Sequence, residues 1–217
     1  MRPAVVVVCP LEIERRAVAS VAARFGVPLI RSGPGPAGVR SAVEGVSTQQ
    51  DSILILAGLA GALREAEGVF RVEVVLDKSG RRWECPWAGS LGGWRTAMVL
   101  GVDRPVLSAH EKRRLAEEHP SAMLVDMESH AFASACEIRG LRWLILRSVS
   151  DGPQDELPAQ APSWVDAAGR TRPMRVAFDL VRHPREVPHT IRLAHAARRA
   201  LKDLRNGVEG MLSALAD

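Results

Sequence analysis

The chain has three cysteines, Cys9, Cys85 and Cys136, and no Cys-x-x-Cys pair. An odd number without metal-ligand spacing excludes a disulfide framework and a cysteine zinc site, and leaves buried or incidental thiols. No apolar run approaches the roughly 20 residues that a membrane-spanning helix needs. The start, MRPAVVVVCPLEIER, sets Arg2 before a short apolar stretch, but Glu12 and Glu14 stand where a secretory signal needs small residues. A cytoplasmic location is expected. G-x-G-x-x-G and G-x-x-x-x-G-K-[ST] are both missing, which removes the usual dinucleotide and nucleoside-triphosphate fingerprints. The six histidines form no H-E-x-x-H or compact cluster, so no metal is expected. Ser20, Ser90 and Ser163 sit in no G-x-S-x-G elbow, and no serine triad is inferred. A surplus of one charge sign is also small: the formal net charge is +4, much of it in RLAHAARRALKDLR at 192–205. That stretch reads first as a solvated helix face, and as a transient contact with an anionic membrane surface second; no nucleic-acid partner is expected.

What is present is a globular composition, 47% hydrophobic over 217 residues, which suits one domain spanning 1–217. AVVVVC at 4–9 is a continuous β-branched run suited to a strand buried on both sides, closed by Pro10. LEIERRAVASVAARFG then follows helical spacing through Leu11, Ile13, Ala17, Val18, Val21 and Ala22, with Gly26 as a stop. SILILAGLAGALREAEG repeats the design, strand-like from Ile53 to Leu56, with Gly58, Ala60 and Gly61 expected where the chain turns. Small residues there serve a close backbone approach to a ligand or close helix–sheet packing, and the sequence leaves both readings open. RSGPGPAG at 31–38 precedes a helix around Val39 to Val43. FRVEVVLDKSGRRWECPW reads as strand, turn and extended piece, AGSLGGW at 88–94 as a connection, HEKRRLAEEHP as a helix and GLRWLILRSVSD as a strand. The alternation predicts an α/β fold, a mixed or mostly parallel sheet flanked by helices, with its ligand site at the carboxyl ends of strands.

Several acids follow apolar runs, and such a sheet would gather them at one edge. Asp126 and Glu128, two apart, share a face if extended and diverge in a helix. Asp126 is expected to cap the helix HAFASACEIRG or to support a neighbour, and Glu128 to contact ligand, since a carboxylate accepts hydrogen bonds from two hydroxyls of a vicinal diol without a metal. Asp151 in SVSDGP is read either as an ordinary Asx-turn or as an acid tuned by its surroundings. Glu12 has the same two readings: helix cap, or a group that orients or deprotonates a nucleophile.

The ordered set VVVVCPLE, LILAGLAGAL, LVDMES and LRSVSDGP resembles the purine and uridine phosphorylases and the methylthioadenosine/S-adenosylhomocysteine nucleosidases. Within that superfamily SDGPQDELP and DLVRHPREVPHTIRLAHAARRAL are most similar to the hopanoid-associated phosphorylases. The resemblance implies a nucleoside phosphorylase/hydrolase-like domain that cleaves an N-glycosidic bond. It carries ribose binding onto Met127 and Glu128, and the catalytic purine-contacting acid onto Asp151, with Ser150 in the base loop. The amino-terminal glutamate falls on Glu12. It makes Gly58, Leu59, Ala60, Gly61 and Arg147 the nucleophile or phosphate region, with Arg31 and Arg40 as further candidates near phosphate. Leu59 stands where the hydrolases carry a serine. The implied reaction is release of adenine from adenosylhopane, with phosphate as co-substrate and no other cofactor; hydrolysis of the methylthioadenosine/adenosylhomocysteine type is the alternative, and a non-enzymatic binding protein a further one. A purine nucleoside with an apolar 5′ substituent and a second copy of the chain, as a homodimer, are the implied partners. Trp83, Trp87, Trp94 and Leu91 are candidates for an apolar channel beside the ribose, or for ordinary packing.

Overall fold

The computed structural model describes residues 4–47, 52–86 and 93–216; Trp87, Ser90 and Leu91 lie outside them. The β-branched run at the start forms β1 (Val5–Cys9), and α1 (Glu12–Arg24) follows after Pro10 and Leu11. Next come β2 (Leu29–Arg31), α2 (Gly35–Gly45), β3 (Ile53–Ala62), β4 (Val69–Asp77), β5 (Arg82–Glu84) and β6 (Thr96–Gly101). The second half supplies α3 (Ala109–Glu118), β7 (Leu124–Asp126), α4 (Ser129–Ile138), β8 (Arg142–Asp151), α5 (Pro173–Arg182) and α6 (Val187–Ala216). Together they form a single-domain α/β fold, a mixed sheet flanked by helices.

The strand order is β2-β1-β3-β7-β6-β4-β5, and β8 pairs with both β3 and β4. That second pairing bends the sheet into a closed ring of β3, β8, β4, β6 and β7, with β2–β1 and β5 as extensions. Pairs β1/β2, β1/β3, β3/β8, β4/β6 and β6/β7 are parallel, whereas β3/β7, β4/β5 and β4/β8 are antiparallel. Continuous apolar stretches such as ILIL in β3 and LIL in β8 suit strands covered on both faces; Ile53 to Leu56 and Leu144 to Leu146 have no exposed surface. The end of α6 closes one side through Leu204, Val208, Met211 and Leu212, which join the core. No helix among the described residues is long and apolar enough to cross a membrane.

The turn expected at Gly58–Gly61 is not there. β3 continues as strand through Ala62, with Gly58 opposite Arg147 and Gly61 opposite Asp151 of β8. A Cβ at position 58 would overlap Nη1 of Arg147 and lie 3.0 Å from Oε1 of Glu14, and one at 61 would lie 3.0 Å from Oδ2 of Asp151. The small residues make room for charged side chains from neighbouring elements, a demand of packing that local sequence does not announce.

Candidate active site

Where β3, β7 and β8 end, a cavity of about 350 Å³ opens. Four carboxylates, Glu14, Asp126, Glu128 and Asp151, share its wall with Leu59, Val102, Val106, Leu157, Pro162 and Val165. All four acids are buried.

Glu14 enters from the first turn of α1. Its Oε2 accepts the Leu11 N–H at 2.7 Å, closing the helix start, and its Oε1 accepts the Leu59 N–H of β3 at 2.8 Å. Burial pushes its carboxyl up to about 7, although the two N–H groups and Arg147 pull the other way. Glu12 is placed differently. It turns to Arg15, Arg16 and Arg31, with contacts of 2.9, 2.9 and 2.6 Å, and does not line the cavity. Its hydrogen bond from Arg15, with those from Arg31 and Arg16, holds its carboxyl far below the usual range. The position expected of Glu12 at the cavity is held by Glu14. The signal was available in the helix phase: Glu14 stands four before Val18 and seven before Val21, on the buried stripe, and Glu12 does not.

Asp126 ends β7 and starts α4: its Oδ1 accepts the N–H groups of Glu128 at 3.0 Å and Ser129 at 2.9 Å, and its Oδ2 takes the Ser129 hydroxyl. Arg147, which has no exposed surface, reaches across from β8 with Nε 2.6 Å from Asp126 Oδ2 and Nη2 3.6 Å from Glu128 Oε2. Burial alone would lower the proton affinity of the guanidinium, but Asp126, Glu128 and Glu14 outweigh it and raise it. Among the described residues its Nη1 has no hydrogen-bond partner. Glu128 is pushed up by burial against the pull of Arg147, with Asp126 adding to the rise. Its Oε1 accepts the Gly35 N–H at 2.8 Å. Gly35 sits at φ +82°, a left-handed conformation that favours glycine, so the Gly/Pro-rich start of α2 supplies the donor that holds Glu128. Met127 lines the wall beside Glu128, and its Cε lies close over Gly35.

Asp151 closes the opposite end. Its Oδ1 accepts the Ser150 hydroxyl at 2.6 Å and its Oδ2 the ammonium of Lys112 at 2.5 Å. Lys112, from α3, is as deeply buried as Arg147 and went unmarked in the sequence. In a helix as charged as AHEKRRLAEE, its only signature is a place three residues before the buried Leu115.

Of the expected nucleophile region, Leu59, Ala60 and Gly61 line the cavity, while Gly58 lies under Arg147 and Glu14. Arg31 is committed to Glu12, and Arg40 is exposed on α2. No lysine or arginine is among the described residues lining the cavity. The region therefore offers an incoming phosphate dianion carboxylates in place of free cations. Trp83 is a core residue, and Trp94 packs against the core and near Gly210 of α6; neither lines the cavity. Among the described residues no group of three His, Cys, Asp or Glu could hold a metal ion.

A family model described as the Phosphorylase superfamily matches residues 94–182. No curated protein sequence matches the chain. Solved structures do. The chain is 14% identical to 5′-methylthioadenosine/S-adenosylhomocysteine nucleosidase of Helicobacter pylori, covering 96% of this chain and 97% of that one at a TM-score of 0.65. It is likewise 14% identical to the corresponding nucleosidase of Streptococcus pneumoniae bound to a transition-state inhibitor, with 97% of each chain covered and a TM-score of 0.65. A futalosine hydrolase mutant of H. pylori matches at 14% identity over 76% of this chain and 93% of that one, with a TM-score of 0.57. These likenesses show the fold. They also correct three expectations. The relatives are nucleosidases and a hydrolase, which overturns the resemblance to hopanoid-associated phosphorylases, phosphorolysis of adenosylhopane as the reaction, and phosphate as the co-substrate. The wall of carboxylates gives the last correction its physical reason. The chain is thus similar, along nearly its whole length, to enzymes that cleave nucleosides.

Proposed function

We propose that this protein is an N-glycosidase that hydrolyses a purine nucleoside with an apolar 5′ substituent, of the methylthioadenosine/S-adenosylhomocysteine type. The observation that carries the reading is Glu14, a buried carboxyl raised to about 7 in the wall of a cavity that also holds Glu128 and Asp151. A base needs proton affinity near the working pH and a place beside the nucleophile, and Glu14 has the first by burial and the second by its position. In this reading it takes a proton from water attacking C1′. Glu128, its second oxygen beside Arg147, grips the ribose diol with Met127 against the sugar, and Asp151 faces the purine as it leaves.

The cavity supplies a negative field where an oxocarbenium-like cation develops, and such preorganised charge is the largest contribution expected in a site without a covalent intermediate. Val102, Val106, Leu157, Pro162 and Val165 give the apolar surface that a thioether substituent prefers over a charged one. Two solved relatives support that substrate class: one H. pylori nucleosidase structure holds 5′-methylthioadenosine, and one from Streptococcus pyogenes holds 5-methylthiotubericidin. A cytoplasmic homodimer belongs to the same proposal, supported by the exposed apolar side chains of Met174, Phe178 and Val181 on α5.

The test is base release from methylthioadenosine, S-adenosylhomocysteine, futalosine, adenosine, inosine and uridine, with and without phosphate, with the sugar identified by mass. Equal rates and a free sugar in both conditions are expected, fastest with methylthioadenosine, whose 5′ substituent carries no charge. A folded protein that turns over none of the six is not a nucleosidase of this class.

A further inference from the structure

Lys112 has no exposed surface, yet its ammonium is fully used. It donates to Oδ2 of Asp151 at 2.5 Å, to the Gly152 carbonyl at 2.7 Å and to the Asp155 carbonyl at 3.0 Å. An ammonium has three hydrogens, and three acceptors meet them. Burying such a charge is costly unless every hydrogen is answered, so an arrangement this complete ties its partners as firmly as it ties the lysine.

Two sets of atoms are fixed in this way. Asp151 is held at both oxygens, Oδ2 by Lys112 and Oδ1 by the Ser150 hydroxyl at 2.6 Å, which sets the plane of the carboxylate. The carbonyls of Gly152 and Asp155 belong to a turn closed by the Asp155 N–H on the Gly152 carbonyl and by the Gly152 N–H on Asp155 Oδ2. That turn leads into the segment carrying Leu157, Pro162 and Val165 to the cavity. Lys112 does not line the cavity itself, so any effect it has on a ligand passes through these groups.

We propose that Lys112 is the positioning residue for base departure: it holds Asp151 in an ion pair, as an anionic hydrogen-bond acceptor for the N7–H of the leaving purine. This rests on the N-glycosidase reading. A carboxylate has about four lone-pair sites, so two remain for the base after Ser150 and Lys112 are served. The accounting is then complete without a proton from Asp151. The purine takes its N7 proton from solvent, the C1′–N9 bond breaks with its electron pair going to the base, and the base leaves neutral. The oxygen of water bonds to C1′ and its proton passes to Glu14, which returns it to solvent.

The experiment compares Lys112→Met with wild type on two substrates. One is methylthioadenosine. The other is the 4-nitrophenyl riboside with the same 5′-methylthio group, whose nitrophenolate departs without a proton and without Asp151. With methylthioadenosine, kcat is expected to fall roughly 100-fold, the scale of losing one aligned electrostatic contact, with KM moving less than about threefold. With the nitrophenyl riboside, kcat is expected to stay within about threefold of wild type. Near wild-type kcat on methylthioadenosine overturns the proposal, and so does an equal fall on both substrates in a variant with the wild-type circular dichroism spectrum. Should the methionine variant not fold, Lys112→Gln, which removes the charge but keeps an N–H donor, is read by the same two outcomes. A wild-type protein that releases neither adenine nor nitrophenolate overturns the glycosidase reading itself, and the role of Lys112 with it.

Discussion

With its carboxyl pushed up to about 7 by burial, Glu14 changes charge within the range of ordinary assay buffers. As a base it works only when ionised, so kcat/KM is expected to rise with pH and level off above about 7. The same shift marks stability with a definite sign. Between its ordinary value of 4.5 and about 7 the folded chain binds more protons at Glu14 than the unfolded chain. Stability held at low pH is therefore lost as pH rises through that window. Glu14→Gln should remove the acid limb and lower kcat on the order of 10² to 10⁴-fold, the usual worth of a general base. Glu12→Gln is the matched control. It loosens contacts with Arg15, Arg16 and Arg31 away from the cavity, and kcat/KM is expected to stay within about threefold of wild type. A large loss in Glu12→Gln with none in Glu14→Gln would return the role to Glu12. Two acids two residues apart on an amphipathic helix differ only in which way they face, and that depends on where Val18, Val21 and Ala22 pack. Composition marks both acids, and only the helix phase set by Val18 and Val21 selects Glu14.

At the scale of elements, the junction of β7 and α4 carries more than a helix start. Asp126 takes two backbone N–H groups, a hydroxyl and the guanidinium of Arg147, all within a few ångströms. Asp126→Ala leaves Arg147 buried with the 3.6 Å contact to Glu128 and two 3.3 Å hydrogen bonds to the Ser129 hydroxyl, and breaking a buried pair on one side costs about 3–5 kcal/mol. Urea denaturation should show that loss as a lower midpoint with an unchanged slope; a midpoint like wild type would mean that Arg147 finds another partner. The elements themselves were largely readable. β1, α1, α3, α4 and β8 follow from apolar runs, helical spacing and the stops at Pro10, Gly26 and Pro120. The placement of Glu128 and Asp151 near the cavity could be read from acids that follow strands, whereas that of Met127 came only from the family resemblance. β3 was misjudged past Leu56 because Gly58, Ala60 and Gly61 have the composition of a turn. Their reason is the side chains of Arg147, Glu14 and Asp151, which come from elsewhere in the chain. Lys112 was hidden for a similar cause: five of the ten residues of α3 are Glu, Lys or Arg besides the one that is buried.

Across the whole molecule, the least readable property is the closure of the sheet, since strand order depends on pairings between residues far apart in sequence. The outer surface has its own consequence. α5 exposes 82% of Met174 and 81% of Val181, and Phe178 is exposed beside them, an apolar stripe that invites cover. A dimer is expected by light scattering at assay concentration, and Val181→Glu should shift it toward monomer; a wild-type monomer at that concentration removes the stripe as a dimer contact.

The ring is completed by its last strand. β8 supplies the seam to both β3 and β4, and with it Arg147 and Asp151. A growing chain therefore carries Glu14, Asp126 and Glu128 without Arg147 until residues near 151 have emerged, and a refolding chain stays incomplete until a pairing between distant segments forms. Such long-range closure is slow relative to local structure. Enzymatic competence should accordingly be the last property to return after dilution from denaturant: helical circular dichroism first, then the change in tryptophan fluorescence as Trp143 of β8 is buried, and base release in step with that second phase. Base release returning in the helical phase, ahead of the tryptophan signal, would show that catalysis does not wait for the seam.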